Sequence, residues 1–188
     1  MRVIAGIAKG HKLRAVPGRD TRPLADRVKE SLFSILAPRL EGARVLGLYS
    51  GTGAFAIEAV SRGADAAVCV DISRVAVQVA RRNVEKVGFS HSIEVRRADT
   101  VGFARMLAAE ERRFDLVFAD PPFKDVGGDD SPFDRLAPFL GKVCGSEGIV
   151  VIRVHRKAPS PEIEGMELYR RHPVGISHLL FYRPLEVE

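Results

Sequence analysis

The sequence predicts an α/β fold: a mostly parallel seven-stranded sheet with helices on both faces, a C-terminal antiparallel hairpin, and a small N-terminal β-hairpin and helix extension. Three observations carry this. From residue 44 onward, apolar runs of strand length alternate with stretches of helical periodicity, the pattern of βαβ units. The first of these strands runs into a glycine-rich turn, Ser50-Gly51-Thr52-Gly53. The last two strands have no helix between them, only a short link containing Pro173 and Gly175, so at least one strand runs antiparallel.

In chain order, residues 2–7 and 12–16 read as a short hairpin around Ala8-Lys9-Gly10-His11, followed by a loop at Pro17-Gly18-Arg19-Asp20. Residues 24–36 read as an amphipathic helix, with Pro23 suited to its first turn and Val28, Leu32, Ile35 and Leu36 spaced for one buried face. Strands follow at about 44–49, 66–70, 92–96, 114–119 and 148–154, with helices at about 53–62, 73–87, 101–110 and 132–140. Residues 167–171 and 178–183 form the closing hairpin. The expected organisation is a basic appendage over 1–39 and a main domain over 40–188. The Lys124–Ser131 segment, with Gly127-Gly128-Asp129-Asp130, reads as a substrate lid or as a plain surface loop.

The chain has 188 residues, 46% hydrophobic and 28% charged, an ordinary globular composition. No apolar run approaches the ~18 residues that span a bilayer. Met1 to Gly6 lacks the apolar core of a signal peptide. Cys69 and Cys144 give no disulfide framework, and no Cys/His cluster has zinc-ligand spacing. The expectation is a cytoplasmic monomer with no structural metal and no membrane partner. Charge is unevenly spread. Residues 1–39 hold nine Lys/Arg against three acids, a net +6, whereas the remainder is −1. A basic segment joined to a neutral domain points to a polyanion, most simply nucleic acid. Solvated surface charge is the competing explanation.

Three acids, Asp71, Asp99 and Asp120, each fall at or just beyond the carboxyl end of a predicted strand, where open α/β sheets bind ligands. Asp71 lies about 20 residues past the glycines, the spacing at which an acid holds ribose hydroxyls. The glycines admit close backbone approach, and the helix after them favours polar or negative groups at its start. Together these point to a nucleoside cofactor. The other informative motif is Asp120-Pro121-Pro122-Phe123. Two prolines stiffen the loop and donate no N–H, leaving carbonyls to point outward. A carboxylate, an outward carbonyl and an aromatic face suit a flat base with an exocyclic amine. A plain Asp-Pro turn is the alternative.

These residues resemble the class I S-adenosylmethionine-dependent methyltransferases, a Rossmann-like group, and Asp120-Pro121-Pro122-Phe123 resembles the signature of those acting on planar amino groups. A narrower resemblance is to the bacterial small-subunit rRNA guanine-N2 methyltransferase (RsmD-like) family. It is carried by Arg2-Val3-Ile4-Ala5-Gly6, Gly10-His11-Lys12-Leu13, Thr21-Arg22-Pro23, Asp26 to Phe33, Ser50 to Gly53 and Glu58 to Ala64. It covers residues 1 to about 123 well, and beyond 132 it is mainly one of pattern. Two positions depart: Gly47 where the family has an Asp that organises the methionine end of its pocket, and Leu24 where it has Thr.

The resemblance implies methyl transfer from S-adenosylmethionine, with S-adenosylhomocysteine as product, to the exocyclic N2 amine of a guanine in rRNA. The substrate would be an assembled or assembling small subunit. Tyr49, Ser50, Gly51, Thr52, Gly53, Asp71, Ile72, Asp99 and Thr100 would bind cofactor, Asp71 taking the ribose and Asp99 the adenine amino group. Asp120, Pro121, Pro122 and Phe123 would act on the target base. Arg2, Lys9, Lys12, Arg14, Arg22 and Arg27 would grip RNA. Three rivals stand beside this. Gly51-Thr52-Gly53-Ala54-Phe55-Ala56 also fits a dinucleotide oxidoreductase fingerprint, which leaves the Asp120 motif and the basic arm unexplained. A DNA amino-methyltransferase would share the rim chemistry. A non-catalytic RNA-binding assembly factor would fit Gly47.

Overall fold

The structure, a computed structural model, describes residues 1–17, 25–127 and 131–185. Residues 18–20 of the expected loop, Arg22, Leu24 at the expected helix start, and Gly128-Asp129-Asp130 lie outside the described residues. The described strands form a seven-stranded sheet in the order β3-β2-β1-β4-β5-β7-β6, and the chain divides into two compact units, Met1–Asp99 and Thr100–Glu188.

The first unit contains α1 (Asp26–Leu36), β1 (Arg44–Leu48), α2 (Ala54–Ser61), β2 (Ala66–Asp71), α3 (Arg74–Lys86) and β3 (Ile93–Arg97). β2 pairs in parallel with β1 on one side and β3 on the other. The strand cores, Val45–Leu48 and Ala67–Val70, are buried throughout, as continuous apolar runs of a parallel sheet should be. α2 is buried at every residue, which its mostly apolar sequence AFAIEAVS permits only because Glu58 and Ser61 find internal partners. α3 is amphipathic and is capped by Ser73, whose hydroxyl accepts from Ala76 N–H at 3.3 Å.

The arm corrects one expectation. Residues 2–7 and 12–16 do not form a two-stranded ladder. A single antiparallel bridge joins Arg2 to Lys12, flanked by Val3 N–H to His11 O at 3.0 Å and Leu13 N–H to Met1 O at 3.0 Å. The donors a ladder would need are taken by α2. Ile4 and Ala5 N–H donate to the Glu58 carboxylate at 2.8 and 3.0 Å, Ile7 N–H to Ser61 O at 2.8 Å, and Ala8 N–H to Ser61 Oγ at 2.9 Å. Gly6, at φ +81°, allows this seating. A Cβ there would stand 1.6 Å from Ser61 O. Val16 continues the contact, packing with Ala76 and Val79 of α3.

The second unit contains α4 (Thr100–Ala109), β4 (Phe114–Ala119), α5 (Ala137–Val143), β5 (Cys144–His155), β6 (Met166–Val174) and β7 (Ser177–Pro184). β4 and β5 are parallel; β7 is antiparallel to both β5 and β6, as the helix-free ending requires. Three boundaries differ most from expectation, the first being β6, which runs through Pro173 to Val174 instead of ending at 171. The helix expected from 132 begins at Ala137. Ser131 N–H donates to Asp134 Oδ2 at 2.9 Å and closes a turn, so the helix starts beside Pro138. β5 starts at Cys144 rather than 148, because a register irregularity carries pairing with β4 from Cys144 past Gly145 and Gly148 to Ile149.

Gly47 sits mid-strand in β1 with space around it. A Cβ there would make ordinary contacts with Phe55 Cδ1 at 3.6 Å, Val68 O at 3.7 Å and Ser50 Cβ at 3.9 Å. Gly47→Ala is therefore expected to stabilise the protein by about 0.5–1 kcal/mol, through a stiffer unfolded chain. The check is urea unfolding without cofactor: a raised midpoint at unchanged slope supports it, and a lowered midpoint refutes it.

Candidate methyl-transfer site

In the first unit, the turn after β1 holds three residues in the left-handed region: Tyr49 (φ 55°), Gly51 (φ 53°) and Gly53 (φ 75°). Tyr49 is a bulky residue there, a local strain of the kind concentrated at binding loops. The acid predicted from spacing reaches this turn directly. Asp71 Oδ2 accepts from Gly51 N–H at 2.8 Å, and Oδ1 accepts from Ser73 N–H at 2.9 Å. The carboxylate fixes the turn with one lone pair of each oxygen, and the second lone pairs are left for hydroxyl donors. Ile72, next in sequence, is 63% exposed, an apolar side chain lying open beside that carboxylate.

Thr52 is buried, and its carbonyl accepts from Asn83 Nδ2 at 3.0 Å. Asn83, wholly buried on α3, also accepts from Arg14 N–H at 2.8 Å and donates to Arg14 O at 3.1 Å. One amide thus ties the arm to the glycine turn. Sequence reasoning missed it, since an Asn within an amphipathic helix resembles any polar position. Asp99 is exposed and ends the first unit; Thr100 is buried and opens α4. The carboxylate, the open apolar side chain and the close-approach turn fit the ribose, ring and amino-acid parts of a nucleoside cofactor. Asp71→Ala is expected to weaken S-adenosylmethionine binding roughly 10- to 100-fold, the loss of a charged acceptor worth about 1.5–3 kcal/mol. Calorimetry reads this, and an unchanged affinity would refute the ribose assignment.

In the second unit, Asp120 follows β4 and accepts from Arg153 Nε at 2.7 Å. Burial pushes the Asp120 carboxyl up from 3.8 to about 6, against the opposing pull of Arg153. Arg153, on β5, is 7% exposed, and its guanidinium carbon lies 5.4 Å from the centre of the Phe123 ring. The His155 ring meets Phe123 edge-on at 5.5 Å. The Pro122 carbonyl accepts from Asp125 N–H at 2.9 Å, whereas among the described residues nothing donates to that of Pro121. The rim is therefore a half-buried acid, a Pro121 carbonyl that accepts no hydrogen bond among the described residues and a half-buried aromatic ring, with Arg153 and His155 of β5 against the acid and the ring. Arg153 and His155 were not singled out from sequence. The signal was a lone cation within the apolar run Ile149–Val154, since a buried charge needs a partner.

The arm's Arg2, Lys9, Lys12 and Arg14, and Arg27 on α1, are exposed. Arg2 lies 3.8 Å from Asp26. Among the described residues there is no group of three or more metal-binding side chains and no helix long and apolar enough to cross a membrane.

Residues 1–183 match the family described as Conserved hypothetical protein 95. YlbH of Bacillus subtilis, whose name proposes an rRNA methyltransferase, is 32% identical over 186 residues, covering 97% of this chain and 98% of that protein. Ribosomal RNA small subunit methyltransferase D of Haemophilus influenzae is 32% identical over 189 residues, covering 97% and 93%. Among solved structures, yhhF from Escherichia coli, named as a proposed methyltransferase, superposes with a TM-score of 0.80 at 27% identity, covering 98% of this chain and 97% of that one.

Proposed function

This chain belongs to the Conserved hypothetical protein 95 family, the RsmD family of S-adenosylmethionine-dependent rRNA methyltransferases, and from that premise we propose that it methylates the exocyclic N2 amine of a guanine in small-subunit rRNA. The observation that carries the amine assignment is the rim, where the half-buried Asp120 carboxylate and the Pro121 carbonyl, which accepts no hydrogen bond among the described residues, follow one another on a stiff loop. The substrate is an assembled or assembling small subunit, and the enzyme works in the cytoplasm as a monomer.

An exocyclic amine is a weak nucleophile because its lone pair is delocalised into the ring. Asp120 and the Pro121 carbonyl accept its two N–H groups and favour a pyramidal nitrogen with the lone pair directed outward. The glycine turn, Asp71, Ile72, Asp99 and Thr100 would hold S-adenosylmethionine, which would supply the methyl group and give S-adenosylhomocysteine as product. Nitrogen gains a bond to carbon and gives its surplus proton to Asp120 or to water. Positioning and electrostatic stabilisation supply most of the rate, and Asp120 need not be a strong base. The base leaves its stack to reach the rim, and Phe123 replaces the lost stacking.

The deciding experiment incubates the protein with labelled S-adenosylmethionine and small subunits from a strain lacking the enzyme. Label recovered in N2-methylguanosine supports the assignment; label in another nucleoside, or none, overturns it. The arm supplies electrostatic grip. Neutralising Lys9, Lys12 and Arg14 together is expected to flatten the log–log salt dependence of RNA binding by roughly 2–3 units, with cofactor affinity unchanged. An unaltered slope means that the arm is not the RNA contact.

A further inference from the structure

The −1 net charge of residues 40–188 conceals a local excess. No acid occurs between residues 148 and 161, nor between 168 and 185. Strand register gathers several of the basic residues of both stretches at one end. His155 pairs with Ser177, Val154 with His178, and His172 with Leu179, so the carboxyl end of β5 lies level with the β6–β7 turn. Arg156 and Lys157 leave β5 there, both exposed, and among the described residues neither side chain has a hydrogen-bond or ion-pair partner. Exposed Arg171 and half-buried His172 and His178 stand on the adjoining strands. The acid within the β6–β7 hairpin, Glu167, pairs with Arg183 at the opposite end.

This cationic end is rigid and belongs to the rim. Arg156 N–H donates to Ile176 O at 2.9 Å, Ala158 N–H to His155 O at 2.8 Å and Lys157 N–H to His155 Nδ1 at 3.2 Å. Arg171 Nη2 holds Ser160 Oγ at 2.6 Å, and the Tyr182 hydroxyl donates to Pro161 O at 2.7 Å. Three links then join this segment to the target loop: Arg153 to Asp120, His155 to Phe123, and Pro159 against Gly127, where a Cβ would come within 2.8 Å of Pro159 Cδ.

We propose that the turn after β5, led by Arg156 and Lys157, is a second RNA contact that holds the phosphates flanking the extruded nucleotide. The inference rests on the RNA-substrate reading above. A base drawn out of its stack carries its own backbone to the rim, so two phosphates must pass close to Phe123. Two unpaired cations on a fixed turn beside that ring match them in charge, and little ordering is required on binding. The basic arm sets the approach of the RNA, whereas this ledge grips the strand at the reacting nucleotide.

The test is an Arg156→Gln/Lys157→Gln double variant of the full chain. RNA binding is measured without cofactor, using unmethylated small-subunit rRNA at several salt concentrations. The slope should flatten by roughly 1.5–2 units, and the loss should add to that of the arm variant. Methyl transfer should show a raised KM for RNA at unchanged kcat, with thermal stability and cofactor affinity preserved. An unaltered slope and KM overturn the proposal. So does a variant that loses affinity for an acidic peptide such as polyglutamate but not for RNA, since the ledge would then face a protein. If wild-type protein binds RNA through this turn yet methylates no guanine, the ledge stands and the guanine assignment fails. If it methylates guanine and the double variant matches it throughout, the ledge alone fails.

Discussion

Asp120→Asn is expected to lower methyl transfer roughly 10²-fold or more while leaving S-adenosylmethionine affinity near that of the wild type. In the proposed scheme the carboxylate accepts from the target amine and makes none of the contacts assigned to the cofactor. Asn preserves one acceptor for Arg153 and nearly the same volume, so the change tests charge rather than packing. Asp120→Ala is a poorer test, because it strands a guanidinium that is 7% exposed. Equal rates for Asn and Asp would end the role assigned to this residue.

The same group sets a pH dependence. With its carboxyl raised from 3.8 to about 6, Asp120 ionises only as pH passes 6, and single-turnover methyl transfer should rise along that limb. Stability runs the other way. A carboxyl whose folded pKa is raised contributes stability below 3.8 and loses it as pH climbs through about 6. Arg153 is a positioning residue in this scheme: it opposes the upward shift and holds the carboxylate at 2.7 Å. Arg153→Leu should move the activity limb to higher pH, with part of the lost rate recovered in alkaline buffer, and Arg153→Lys should move it less. A purely structural Arg153 would lower the rate at every pH without moving the limb.

The sheet was legible where burial is local. Phe114–Ala119 is apolar apart from the exposed Asp115 and is closed by Asp-Pro, and its strand has those bounds. Asp71 stood out in the sequence by its spacing from the glycine turn, as a ribose acceptor; its 2.8 Å hydrogen bond from Gly51 N–H was not legible there. What escaped is polar and long-range. The arm reads as a hairpin because residues 2–7 have strand-like character, but its N–H groups are claimed by Glu58 and Ser61, more than 50 positions away. Arg153 and His155 escaped because only the parallel pairing of β4 with β5 brings them to Asp120 and Phe123. The ledge escaped because a net charge summed over 149 residues averages away a turn.

Glu58→Ala is expected to cost about 3–5 kcal/mol, the largest stability loss of any single change considered. Glu58 is fully buried and accepts from Ile4 N–H, Ala5 N–H and Arg62 Nε at 2.8, 3.0 and 2.8 Å, with Lys29 Nζ 3.8 Å away. Lys29 is itself fully buried and also donates to Arg2 O. Removing the carboxylate leaves a buried ammonium with Asp26, at 3.4 Å, as its remaining carboxylate, and strands two backbone donors. In a protein stable by about 5–15 kcal/mol this is a large fraction, and the melting temperature should fall by roughly 10 °C. Lys29→Met should cost less, because Glu58 keeps Arg62 and both N–H donors. The double replacement Glu58→Leu/Lys29→Met should cost less than the sum of its parts, because it leaves no charge buried alone. The arm is seated by the same carboxylate, so Glu58→Ala should also weaken the salt dependence of RNA binding under conditions where the protein remains folded. A loss below about 1 kcal/mol by denaturant midpoint would show that water replaces Glu58, and that the arm is held by Ser61 and Asn83 instead.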